Sequence, residues 1–95
     1  MLNARSFFAC TLRLLPQTEV LVMGGVQNQK QSKKCEVYSL QTDEWRALPD
    51  LNVARGSASA CILANRFLYC IGGYTNEEEG SRLLDCIEML DLDAS

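Results

Sequence analysis

Five cysteines, twelve carboxylates and nine cationic side chains are the chemical resources of this chain, which contains no histidine. The cysteines stand at Cys10, Cys35, Cys61, Cys70 and Cys86. Their number is odd and no two are spaced as CxxC, so no zinc ligand set can be drawn from them. They read as reduced thiols serving as small apolar side chains in strands; the alternative is a disulfide-stapled secreted domain. Without imidazole there is no Ser–His or Cys–His nucleophile and no imidazole copper site. Asp43, Glu44, Asp85, Glu88 and Asp91 supply material for an acid–base pair, yet no spacing marks two of them as facing one pocket. The doublets Gly24-Gly25 and Gly72-Gly73 lack the GxxxxGK[ST] pattern of a phosphate loop and open no helix. The expectation is therefore no catalytic residue, no cofactor and no metal. Two short charged runs remain, Lys33-Lys34 and Glu77-Glu78-Glu79. They either meet oppositely charged partners or stand as solvated loop tips.

What positions such residues is bounded by bulk properties. At 95 residues, 47% hydrophobic and 22% charged, the chain has ordinary globular composition. The net charge of −3 is unevenly spread: residues 1–48 carry six bases and four acids, residues 49–95 three bases and eight acids. Neither half offers the clustered basic face of a nucleic-acid binder, and the acidic half suits an anionic membrane surface poorly. No apolar run approaches the roughly 20 residues of a membrane span. The segment 1–18, basic and free of acids, loosely fits a targeting presequence. The repeat that organises the chain explains it better.

Leu2-Asn3-Ala4-Arg5 returns as Leu51-Asn52-Val53-Ala54-Arg55, and Cys10-Thr11-Leu12 as Cys61-Ile62-Leu63. Leu21-Val22-Met23-Gly24-Gly25 returns as Tyr69-Cys70-Ile71-Gly72-Gly73, and Glu36-Val37-Tyr38-Ser39-Leu40 as Glu88-Met89-Leu90-Asp91-Leu92. The offsets run from 48 to 52, a period that signals a repeat architecture. Apolar or alternating stretches between turn residues predict strands over Phe7–Leu15, Glu19–Gly25, Lys34–Leu40 and Glu44–Leu48. In the second unit they predict Ser57–Ala64, Phe67–Gly73 and Leu83–Leu92. The polar stretches Gln27–Lys34 and Thr75–Arg82 read as linking loops. Pro16 and Pro49 fall between strands, where a missing N–H costs no ladder bond.

A Gly-Gly doublet closing an apolar strand, a following strand with Glu and Tyr, and a Trp seven residues after the Tyr make the chain resemble the kelch repeat. Gly24, Gly25, Glu36, Tyr38 and Trp45 carry the likeness in the first unit; Gly72, Gly73 and Glu88 carry it in the second, which has Leu90 in the tyrosine position. The resemblance implies an all-β fold, part of a propeller of antiparallel four-stranded blades, with about seven strands here. Residues 1–50 form the first unit and 51–95 the second, which stops before its tryptophan. Tyr38 and Trp45 are expected to pack one blade's sheet against the next. Two blades leave broad apolar faces and open edges, so a stable isolated monomer is not expected. The missing blades of the same propeller, or other protein chains, should complete it.

The resemblance further implies a non-catalytic protein-interaction scaffold; the free thiols and the absence of a secretory signal lead to the expectation of a cytoplasmic location, with or without cytoskeletal association. A purely structural subunit of a cytoskeletal or ciliary assembly is the alternative, and a fragment of a kelch-like enzyme the remote one. In several family members the arginine ahead of the Gly-Gly strand points into the binding surface; Arg5 and Arg55 hold that position here. Each either contacts a ligand or braces adjacent blades. Candidate partner-binding residues are thus Arg5, Arg55, Lys33, Lys34, Glu77, Glu78 and Glu79, with no nucleic acid and no membrane as partner.

Overall fold

The computed structural model describes residues 5–14, 17–77 and 80–93. All its regular elements are strands, as the alternating pattern requires. β1 (Ala9–Arg13), β2 (Glu19–Met23), β5 (Cys35–Ser39) and β6 (Glu44–Leu48) form one antiparallel sheet in the order β1-β2-β5-β6. β7 (Ser59–Leu63), β8 (Phe67–Ile71) and β11 (Ile87–Asp91) form a second, ordered β11-β8-β7.

The two stretches read as loops are instead hairpins. Val26–Gln27 (β3) pairs with Lys30–Gln31 (β4), and Tyr74–Glu77 (β9) pairs with Gly80–Leu83 (β10). The first turns through Asn28 and Gln29 with φ of 52° and 67°, both left-handed, as two-residue hairpin turns demand. Each hairpin leaves its sheet through a glycine doublet. Gly25 (φ 101°) packs so closely on the Ser6 carbonyl that an added Cβ would lie 2.7 Å from that oxygen; only glycine fits. The longer second hairpin accounts for the offset between units growing from 48 at Gly24/Gly72 to 52 at Glu36/Glu88. Strand ends also differ from expectation. Phe7 has φ of 55°, so β1 begins at Ala9, and Leu83 belongs to β10, not to β11.

Pairing fixes the equivalence of the units. Ala9 lies opposite Met23 and Ser59 opposite Ile71. The structural partner of Cys10 is therefore Ala60, and Cys61 corresponds to Thr11. The match of Cys10 to Cys61 is off by one residue, which in a strand exchanges the two faces.

Sheet packs on sheet through one face of each. Ala9, Leu21, Met23, Cys35 and Val37 of the first meet Leu68, Cys70 and Leu92 of the second, with Leu51 of the connecting segment joining them. Most of these positions are aliphatic, each contributing about 1.5–3 kcal/mol on full burial. Cys35 and Cys70 sit among them as small apolar groups. Burial, with Cys70 nearby, pushes the Cys35 thiol up from 9.0 to about 12, and burial likewise raises Cys70. Both are protonated at neutral pH. A cavity of about 220 Å³ lined by Met23, Cys35, Leu68, Cys70 and Leu90 remains between the sheets.

Tyr38 and Trp45 do not join this interface. They are cross-strand partners, with ring centroids 5.0 Å apart and planes tilted by 43°. They lie on the face of the first sheet turned away from the second, because their parity is opposite to that of Val37 and Cys35. The Tyr38 hydroxyl donates to Asp43 Oδ1, and that bond raises the phenol pKa. The second sheet likewise turns Leu63, Ile71, Ile87 and Met89 outward, all exposed.

Candidate partner-binding rim

Both hairpins project from the same end of the two sheets, since β2 and β8 run toward them and β5 and β11 run back. The opposite end holds the tight β5–β6 and β7–β8 turns. The hairpin rim is fastened by backbone bonds between units. The Gly25 N–H donates to the Arg55 carbonyl (2.8 Å), that of Leu51 to Lys33 (2.8 Å) and that of Ser57 to Phe7 (2.8 Å). Single bridges, Ser6 to Val26 and Gly56 to Tyr74, tie the chain ahead of each sheet to its hairpin.

Beneath the rim lie Arg5 and Arg55, with side chains 0% exposed. Arg5 donates to Glu36 Oε1 and to the Lys34 carbonyl, both at 2.8 Å. Arg55 donates to Glu88 Oε2 at 2.7 Å, to the carbonyls of Gly72 (3.0 Å) and Cys86 (3.2 Å), and to Cys86 Sγ (3.2 Å). Glu88 also accepts the N–H groups of Asn52 (2.6 Å) and Val53 (3.1 Å). Burial works against the Arg55 charge, but the bond to Cys86 and the neighbouring Glu88 outweigh it and raise its pKa. Among the described residues each guanidinium bonds only within its own unit, so the arginines brace their own sheets and do not tie one blade to the next by their side chains. Neither guanidinium is presented to solvent, and Glu36 and Glu88, the repeated glutamates of the two units, are their counter-ions.

The other candidates lie above. Lys33 and Lys34 are exposed, and Lys34 reaches Asp50 at 3.3 Å with both side chains about half exposed. They share an open cleft of about 630 Å³ with Gln27, Asn28, Lys30, Ser32 and Asp50. Lys30 belongs to this cluster although no run marks it; its signal is that all three lysines of the chain fall within residues 30–34. Glu77 ends β9, while Glu78 and Glu79 lie outside the described residues.

The five carboxylates that could have formed an acid–base pair are dispersed. Asp43 takes the Tyr38 hydroxyl, Glu88 is locked by Arg55, and Asp91 pairs with Arg66 at 2.8 Å. Glu44 lies at the turn end beside Asp43, and exposed Asp85 at the hairpin end. Among the described residues no three His, Cys, Asp or Glu side chains are grouped to hold a metal ion.

Stacked antiparallel sheets, each left through a glycine doublet into a hairpin on one shared rim, define blades of a β-propeller. Comparison with known proteins narrows the class. The Kelch motif matches residues 16–52. The chain is 37% identical over 82 residues to F-box/kelch-repeat protein SKIP20 of Arabidopsis thaliana, covering 84% of this chain and 19% of that protein. It is 34% identical over 56 residues to Kelch repeat and BTB domain-containing protein 2 of cowpox virus (strain GRI-90 / Grishak), covering 59% and 10%. The chain belongs to the kelch-repeat family. It spans about a fifth of the length of the plant relative.

Proposed function

We propose that the chain is part of a non-catalytic protein-interaction module that engages a partner polypeptide through its hairpin rim. The observation that carries this reading is the separation of rim from scaffold. Arg5 and Arg55 are consumed beneath the surface, while the hairpins above present polar and charged groups on a rigid base. The kelch relatives whose names join the repeat to an F-box or a BTB domain support a binding module working beside other domains. A structural subunit is the second reading. It draws on the exposed Leu63, Ile71, Ile87 and Met89, an apolar face that a neighbouring sheet would cover.

A photo-crosslinking side chain tests the rim in the full chain in cells. Placed at Gln29, on the tip of the first hairpin, it should form adducts with other polypeptides. Placed at Gln41, in the β5–β6 turn at the opposite end, it should form far fewer. Equal labelling from both positions, or adducts from Gln41 alone, would contradict the assignment.

A further inference from the structure

The cations of the chain divide by type. Five of its six arginines, Arg5, Arg13, Arg46, Arg55 and Arg66, each pair with a carboxylate across strands or connections. Lysine occurs at three positions only, 30, 33 and 34, and all three line the one rim cleft. Lys34 shares Asp50; Lys30 and Lys33 have no acidic partner among the described residues. We infer that this cleft is a docking groove for an acidic, carboxylate-rich segment of a partner protein, a refinement that rests on reading the rim as an interaction surface.

Charge complementarity selects the occupant. Three ammonium groups against one carboxylate give the cleft a local charge of about +2, in a chain whose net charge is −3. Its remaining lining is amide and hydroxyl, namely Gln27, Asn28, Gln31 and Ser32, which hydrogen-bonds a polar main chain and offers no apolar anchor. Lysine supplies a mobile, hydrated point charge, not a fixed planar fork. The groove therefore recognises density of negative charge more than one geometry, and its binding weakens as salt rises. A nucleic acid fits less well. No aromatic ring lines the cleft for base stacking, and a long polyanion would run onto the second half, which carries eight acids against three bases.

Fluorescence anisotropy with fluorescein-labelled decaglutamate, decalysine and (dT)10 on the full chain tests this. Decaglutamate should bind at low salt and be released by about 0.5 M salt. The combined change Lys30→Glu, Lys33→Glu, Lys34→Glu should weaken it at least about tenfold, whereas Gln41→Glu should leave it unaltered. Failure of decaglutamate to bind, binding indifferent to the three lysines, or tighter binding of (dT)10 would each overturn the inference. If decaglutamate fails while adducts from Gln29 persist, the rim still docks protein and only the acidic chemistry falls. Loss of both removes the module reading itself.

Discussion

Replacing Glu88 by alanine should lower the unfolding free energy by about 3–5 kcal/mol, read as a fall in the urea midpoint. The Arg55 guanidinium is fully enclosed and meets Glu88 at 2.7 Å. Without that carboxylate, the enclosed charge is left with three carbonyls and a thiol. The N–H groups of exposed Asn52 and half-buried Val53 lose their acceptor in the same step, a smaller loss because water can replace it at Asn52. Glu88→Gln keeps an acceptor oxygen and gives up only the charge, so it should fall between wild type and Glu88→Ala. Arg55→Ala is the milder deletion, because Glu88 would retain both backbone donors. A Glu88→Ala midpoint within experimental error of wild type would show that the clamp does not hold the second sheet.

The other large effect is expected at Gly24, with an internal control at Gly72. The two glycines are equivalent, with φ of 65° and 68°, so any other residue pays a similar left-handed backbone cost of about 1 kcal/mol at both. Their surroundings differ. A Cβ on Gly24 would run into the Arg55 carbonyl oxygen, whereas at Gly72 the nearest atom is the Leu84 carbonyl oxygen at 3.5 Å. The Arg55 carbonyl cannot retreat freely, because it also accepts the Gly25 N–H at 2.8 Å. Gly24→Ala should thus destabilise by about 3 kcal/mol and Gly72→Ala by about 1 kcal/mol. Equal losses in urea unfolding would mean that the contact between units contributes nothing at this point.

The architecture was legible in the sequence where several residue types had to agree. The Gly-Gly doublets ended apolar strands as read, and Glu36 and Glu88 stood one position into β5 and β11. Residue identity misled where parity should have ruled. Aligning Cys10 with Cys61 broke the alternation that places Cys61 on the outer face of the second sheet. The hairpins leave no mark in the sequence, because strands of two to four mostly polar residues carry no periodicity and Asn28-Gln29 is not a strong turn signal. The arginine clamps could not be read off either. Their partners lie 31 and 33 residues away, across hairpins of unequal length, so only the register of β2 with β5 and β8 with β11 brings them together. Lys30 stands apart from the Lys33-Lys34 run along the chain, and only the folding back of the hairpin brings it beside them.

The central claim is that this family member separates what holds the blades from what meets a partner, enclosing arginines below the rim and leaving lysines above it. Urea unfolding of the triple variant Lys30→Glu, Lys33→Glu, Lys34→Glu is its most direct test. Exposed side chains outside the scaffold should shift stability by no more than about 0.5 kcal/mol each, so the midpoint should stay near that of wild type. A loss comparable to that of Glu88→Ala would place the lysines in the scaffold and contradict the division.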